Sequence, residues 1–214
     1  MSTLAILGAS GHGKVVADIA LAMGHFTCVV FFDDAWPDKK ANGKYEIIGN
    51  SDELKAFAKR EKASVFVALG NNNIRFLKLK QLVEHGLQIA TLVHPSASVS
   101  TSAMIGDGSV IMPGAVINAD ATIGDAAIVN TLSAIEHDCK LGNAVHISPG
   151  AALAGGVQVG DFSWIGIGAS VVQQIAIGSN VVIGAGAAVV CDVPDNVTAV
   201  GVPARVIKSK GEKC

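Results

Sequence analysis

A branched aliphatic residue recurs at every sixth position through the second half of the chain, from Val99 and Ile105 to Ile183 and Val189, without a miss. Four residues after each comes a mostly small one, such as Ala103, Ala115, Ala127, Ser133, Cys139, Ala151 and Ala187. A helix needs a period near 3.6 and a lone strand a period of two. A strict six belongs to a parallel β-helix, whose short strands bury their aliphatic side chains only by stacking on the next coil. A longer period lies inside it. Ile105-Gly106-Asp107, Ile123-Gly124-Asp125, Leu141-Gly142-Asn143, Val159-Gly160-Asp161 and Ile177-Gly178-Ser179 recur every eighteen residues. Three hexads then form one coil of a triangular prism. The Gly-Asp/Asn pairs are expected at one corner, as residues that tolerate positive φ.

The first ninety or so residues follow a different pattern. Leu4 to Leu7 reads as a buried strand running into Gly8-Ala9-Ser10-Gly11-His12-Gly13, then a helix from Lys14 to Met23 closed by Gly24. Further strands are expected at Cys28–Phe32, Ser64–Leu69 and Leu87–Val93. Helices are expected from a cap at Asn50 or Ser51 through Lys62, and from Ile74 to His85. Alternating strands and helices imply a small parallel α/β sheet. The boundary falls near His94-Pro95. This gives an α/β domain at 1–92 and a β-helix with a short C-terminal tail at 93–214.

Composition narrows the class. Half of the 214 residues are apolar and the formal net charge is −2. One or two fully cored domains are expected, with neither a basic patch for nucleic acid nor an acidic tail. No apolar run reaches membrane-spanning length. The start, Met1-Ser2-Thr3-Leu4, lacks a charged leader region, so a cytoplasmic location is expected. Cys28, Cys139, Cys191 and Cys214 show no CxxC spacing, which fits free thiols in a reducing compartment.

Two places carry candidate chemistry. Gly8 to Gly13 joins a strand to a helix, an arrangement that turns backbone N–H groups toward a phosphate. Its spacing is GxxGxG rather than the dinucleotide fingerprint GxGxxG. Asp33-Asp34 and Gly70-Asn71-Asn72 end the neighbouring strands, where ligands of open α/β sheets bind. The plain alternative for Asn72 and Asn73 is helix capping. The second place is Glu136-His137-Asp138, at the corner after Ile135. Eighteen residues on lie Ala154-Gly155-Gly156, so His137 is expected beside an open glycine backbone about 4.8 Å away. A carboxylate can orient the imidazole and raise its basicity, and a glycine N–H can polarise a carbonyl. Cys139 takes a small inward position and reads as core packing.

These strings together resemble the bacterial nucleotide-sugar N-acetyltransferases of the sialic acid O-acetyltransferase (NeuD-like) group. The residues that carry the likeness are Gly8-Ala9-Ser10-Gly11-His12-Gly13-Lys14-Val15-Val16, Phe32-Asp33-Asp34, Ala68-Leu69-Gly70-Asn71-Asn72, Asn130-Thr131, Ile135-Glu136-His137-Asp138-Cys139 and Gly201-Val202-Pro203-Ala204-Arg205. The resemblance implies a Rossmann-like βαβ domain followed by a left-handed β-helix. It implies acetyl-CoA as donor and a UDP-linked 4-amino-4,6-dideoxy sugar as acceptor, in a homotrimer with active sites between subunits. Catalytic roles would fall to His137 as base, Asp138, Asn130 and Gly155. Gly8, Ser10, Gly11, His12, Asp33, Asp34, Gly70, Asn71 and His146 would bind the acceptor. His146, Gly155, Ile167, Gly184, Ala185 and Pro203 would hold the coenzyme, and no metal is expected. Outward apolar residues such as Val110, Val116 and Ile128 are expected at the trimer faces.

Other readings stay open on sequence alone. O-acetylation of a sialic acid and N-acetylation of a GDP-linked perosamine are near rivals. A zinc lyase of the γ-carbonic anhydrase kind would need three converging histidines. The β-helix offers His137 and His146, with His94 at its entry. A non-enzymatic nucleotide-sugar sensor would use the α/β domain for binding and the β-helix for assembly.

Overall fold

The computed structural model describes residues 2–209. Cys214 and the initial Met1 lie outside them. The chain divides into two compact units, Met1–Pro95 and Ser96–Cys214.

The first unit is built on a three-stranded parallel sheet in the order β2 (Cys28–Phe32), β1 (Thr3–Leu7), β5 (Ser64–Val67). Leu4 to Leu7 are all buried, as a central strand covered on both faces requires. Leu7 pairs with both Phe32 and Val67, so the three strands end level. Helix α1 (Gly11–Ala22) buries Val16, Ala17, Ile19 and Ala20. Helix α2 (Ser51–Glu61) starts with a capping box. Asn50 accepts from the Glu53 backbone, and Glu53 Oε2 accepts from the Asn50 N–H at 2.8 Å. Helix α3 (Asn72–Glu84) is capped by Asn71, whose Oδ1 accepts from Ile74 N at 3.1 Å.

Three local expectations are corrected. Helix α1 begins at Gly11, not Lys14, so the last half of the glycine stretch is its first turn. The strand expected over Leu87–Val93 is reduced to a single bridge between Ile89 and Val65 and a two-residue strand at Leu92–Val93. Between β2 and α2 lies an unforeseen two-stranded hairpin, β3 (Ala41–Asn42) and β4 (Tyr45–Glu46). Its strands are too short to show a period in the sequence.

The second unit is a parallel β-solenoid. Two-residue strands stack into three sheets, each pairing a residue with the one eighteen positions on. Val116 pairs with Ala134, Thr122 with Lys140 and Ile128 with His146. One of these columns, from Ser98 to Val189, holds six strands. The aliphatic and small positions both point inward; Ile135, Ile147, Leu153, Ile165, Ala151, Val157 and Ala169 are each 0% exposed. Buried Ser133 and Ser163 answer their hydroxyls to backbone carbonyls, at 2.7 Å to Asn130 O and 2.7 Å to Gly178 O.

The corner glycines work differently from expectation. The left-handed residue of each hexad is not the Gly of the Gly-Asp/Asn pair but the residue two places further on, including Gly108, Ala126, Ala144, Phe162 and Asn180. Gly124 is required instead by close approach of the next coil. A Cβ there would lie 2.7 Å from Gly142 C and 2.8 Å from Asn143 N. The paired side chains form a ladder up this edge. Asp107 N donates to Asp125 Oδ1 at 3.0 Å, and Asp125 N to Asn143 Oδ1 at 3.1 Å. Val110 and Ile128 are also corrected. Both are already buried within the single chain, at 0% and 1% exposure, so neither is free to face another subunit.

Gly124→Ala is expected to destabilise the protein by about 1–3 kcal/mol, because its Cβ meets backbone that cannot rotate away. Gly11→Ala, where a Cβ meets nothing within 4 Å, should leave stability nearly unchanged. Chemical unfolding of the two variants checks the contrast.

Candidate functional site

His137 and Asp138 are set by the corner that follows the Ala134–Ile135 strand. Asp138 takes the left-handed position, φ 61°, a conformation that Asp adopts at low cost. Its carboxylate turns back onto its neighbour, and His137 Nδ1 donates to Asp138 Oδ2 at 2.7 Å. That bond fixes the tautomer and leaves Nε2 as the basic nitrogen. Asp138 is the main cause holding the His137 pKa above its ordinary value, with Glu136 adding to it. Glu136 is itself held by Asn118, whose Nδ2 donates to Oε2 at 2.7 Å.

Nε2 faces the glycine step one coil on. A Cβ on Gly155 would sit 2.6 Å from Nε2, so only glycine leaves room beside the ring. The Gly155 N–H has no partner among the described residues, whereas the Gly156 N–H donates to His137 O at 2.9 Å. A basic nitrogen and a free N–H thus border one gap. The His137 and Asp138 side chains are 64% and 66% exposed, so within one chain the gap is open to water. Cys139, next in sequence, is buried and points its Sγ at Ala154 O, 3.3 Å away. Burial raises its pKa, which makes it a poor nucleophile.

A groove of about 380 Å³ runs along a different edge of the prism. It is lined by Asn130, His146, Trp164, Ile167, Gly184 and Ala185, among others. Asn130 Oδ1 accepts from Thr131 N at 2.8 Å, which leaves its Nδ2 to donate to His146 Nε2 at 3.3 Å. His146 stacks on Trp164, with ring centroids 5.1 Å apart and planes 8° from parallel. Trp164 Nε1 donates to Ser148 Oγ at 2.7 Å. Trp164 was not singled out from the sequence, although its spacing of eighteen from His146 is the signal that stacks them. Five named residues meet here, namely Asn130, His146, Ile167, Gly184 and Ala185. Gly155 lies instead with His137, and Pro203 lies in the turn beyond the Val197–Val200 strand, outside the groove lining. A larger depression of about 610 Å³ lies over the sheet face carrying Lys140, Gln158 and Ala176, away from both features.

In the first unit the glycine stretch divides by role. Gly8, at φ 109°, and Gly13 are forced by packing, since a Cβ on Gly8 would lie 2.7 Å from Ala68 O and one on Gly13 3.0 Å from the Phe31 ring. Gly11 and Gly70 face open space. Asp33 Oδ2 accepts from Ala9 N at 2.8 Å and Oδ1 from Ala35 N at 3.0 Å, tying the loop to the end of β2. Asp34 accepts from Ser51 N at 2.9 Å and pairs with Lys78 at 2.7 Å. Both carboxylates therefore already have protein partners. Asn71 is a helix cap. Asn72 is buried and accepts from Arg75 Nη2 at 3.0 Å. Arg75, fully buried, also donates to Leu69 O at 2.9 Å and Gly70 O at 3.2 Å, and so shapes the loop after β5. Nothing in the linear sequence marks it. His12 lies in the first turn of α1 with Nε2 buried and without a hydrogen-bond partner. Burial first, then the Arg75 charge, lowers its pKa to about 4, so it is neutral at neutral pH.

Among the described residues no helix is long and apolar enough to cross a membrane, and no three His, Cys, Asp or Glu side chains cluster as a metal site.

Comparison with known proteins identifies the family. Residues 3–82 match the PglD N-terminal domain. The chain is 43% identical to the acetyltransferase domain of PglB from Neisseria gonorrhoeae solved in complex with acetyl coenzyme A. That match covers 96% of this chain and 98% of the other, with a TM-score of 0.91. It is 39% identical to PerB from Caulobacter crescentus in complex with CoA and GDP-perosamine, over 97% of this chain and 98% of that one, with a TM-score of 0.90. The UDP-N-acetylbacillosamine N-acetyltransferase of Bacillus subtilis (strain 168) is 42% identical over 117 residues, 52% of this chain and 52% of its own. The chain thus spans about half the length of that relative. The chain belongs to the PglD-like acetyltransferases.

The His12 shift sets a pH window. Its folded value, about 4, lies below the free value of 6.5, so the unfolded chain takes the proton first. Its contribution to stability is complete above 6.5 and is lost as pH falls toward 4. Wild-type melting temperature should drop across that window more steeply than that of His12→Gln. Parallel slopes in a thermal-melt series would remove His12 from the account.

Proposed function

We propose that this protein is an acetyl-CoA-dependent N-acetyltransferase acting on the 4-amino group of a UDP-linked 4-amino-4,6-dideoxy sugar. The observation that carries the reading is the His137–Asp138 pair facing the unpaired Gly155 N–H across a gap that only glycine leaves open. The relatives named for acetyl coenzyme A and for amino-sugar acetylation support the substrate class. The GDP-perosamine complex of PerB keeps a GDP-linked amino sugar as the second reading.

The chemistry follows from the groups present. The attacking amine is nucleophilic only when neutral. His137 Nε2 takes its proton as the C–N bond forms, and the carbonyl oxygen collects charge beside the Gly155 N–H. The C–S bond then breaks, and the imidazolium returns the proton to the departing thiolate. No acetyl-enzyme is formed, and Cys139 takes no part. The glycine stretch at the start of α1 binds the diphosphate of the acceptor, and the groove from Asn130 to Ala185 holds the coenzyme.

The working unit in this reading is a trimer. The groove follows the Asn130–Thr131 edge, and His137 stands one hexad further along the coil, up to about 20 Å at ~3.3 Å per residue. The exposed base is covered, and the groove supplied, by a second copy. Exposed Leu132, Trp164 and Ile167, at 70%, 44% and 57%, are the apolar side chains left for such contacts near the groove edge.

His137→Ala should lower kcat by roughly 10²–10⁴ with little change in acetyl-CoA binding, and higher pH should partly rescue it. Asp138→Asn replaces the carboxylate that raises the His137 pKa with a neutral acceptor, so the acid limb of its kcat/KM profile should move to lower pH. A coenzyme-release assay over UDP-, GDP- and CMP-linked sugars reads both and identifies the acceptor. Full activity of His137→Ala would overturn the base assignment.

Gly11→Val should raise the acceptor KM strongly and leave the acetyl-CoA KM unchanged, because the added bulk enters open space at the start of α1. Equal loss for both substrates in a folded variant would argue against the diphosphate assignment.

A further inference from the structure

Two consecutive carbonyls of the glycine stretch are held by side chains from a segment thirty residues away. Lys39 Nζ donates to Ala9 O and bonds Asp33 Oδ2 at 3.2 Å. Asn42 Nδ2 donates to Ser10 O at 3.0 Å, and Asn42 is 7% exposed. Asp33 Oδ2 also accepts from Ala9 N, so Ala9 is gripped through both its N–H and its C=O.

A trans peptide points its C=O and the following N–H in opposite directions. With Ala9 O turned to Lys39 and Ser10 O turned to Asn42, the N–H groups of Ser10 and Gly11 are directed away from both side chains. Neither N–H has a partner among the described residues. Gly11 has no heavy atom within 4 Å of an added Cβ, so the space beside it is open. The segment that grips the loop is itself anchored. Asn42 pairs with Tyr45 in the hairpin, Ile47 bridges to Phe31, and Ile48 N donates to Phe31 O at 2.9 Å. The Tyr45 and Phe31 rings pack with centroids 5.0 Å apart.

We infer that Lys39 and Asn42 are positioning residues that fix the peptide orientations of the glycine stretch, so that its N–H groups are set in advance for a nucleoside diphosphate. Neither side chain touches the diphosphate; the ammonium lies on the carbonyl side of the peptide. The inference rests on the reading of this loop as the acceptor's diphosphate site. It assigns to the short hairpin a role that fold alone does not require. Pre-ordering the loop removes the cost of turning two peptides at the moment of binding.

The test compares UDP, GDP, UMP and uridine by calorimetry on the full chain, in wild type, Lys39→Met, Lys39→Arg, Asn42→Leu and Asn42→Gln. Lys39→Met and Asn42→Leu should each weaken the preferred diphosphate by about tenfold or more, the scale of one lost charge-assisted or buried hydrogen bond. Uridine and acetyl-CoA affinities should stay within about twofold, and Lys39→Arg should recover most of the loss. The salt dependence of UDP binding should be the same in Lys39→Met as in wild type; a shallower dependence would mean direct contact with phosphate and overturn the inference. Equal weakening of uridine and UDP, or a collapse in melting temperature, would reduce both residues to scaffold. Wild type that binds diphosphate while every variant matches it would overturn the clamp alone. Wild type that binds no nucleotide would overturn the site reading and the clamp together.

Discussion

Every chemical feature of the second unit depends on the backbone pairing that sets residues eighteen apart side by side. They stack each coil on the last with no slip, because a one-residue shift would turn the inward aliphatics to solvent. Register converts sequence spacing into spatial contact. It places Gly155 against His137 and Trp164 on His146, although neither pair is near in sequence. The close approach of coils at Gly106, Gly124, Gly142 and Gly160 sets the pitch along one edge, and the Asp and Asn ladder satisfies the N–H groups beside them.

The two units solve different problems with backbone N–H groups. In the solenoid, the Gly155 N–H is without a partner among the described residues, while the N–H groups at the same hexad position on another edge, at 107, 125 and 143, are taken by side chains. In the α/β unit, the first turn of α1 leaves its N–H groups unpaired as any helix does. There the surrounding side chains grip the Ala9 N–H and the Ala9 and Ser10 carbonyls, and leave the Ser10 and Gly11 N–H groups without partners among the described residues. In the proposed reading, both arrangements aim fixed dipoles at a place where negative charge arrives or develops.

Much of this was legible in the sequence, for a physical reason. The solenoid repeats, so one inward position read correctly is read sixteen times, and the His137–Gly155 contact follows from arithmetic. Periodicity carries no information about φ, so the left-handed corner residue was placed two positions early. It also says nothing of which outward residues the rest of the chain covers, so Val110 and Ile128 were misread as free surface. In the α/β unit no repeat links distant residues. Lys39, Asn42, Lys78 and Arg75 act through contacts that cross from one element to another, and only the folded chain brings them to the loops they hold. Asp33, Asp34 and Asn71 do follow the carboxyl ends of their strands, and the structure gives each a protein partner.

The central claim is that the base and the coenzyme groove of one active site come from different subunits. Subunit complementation tests it most directly. His137→Ala removes the base, and Ala185→Trp fills the groove at an exposed position. Each variant alone should be nearly inactive. Unfolded and refolded together in equal amounts, they should regain about a quarter of wild-type activity, the share of sites in a random cyclic assembly that draw both intact parts. No recovery from a mixture shown to contain mixed oligomers would place base and groove in the same subunit and contradict the account.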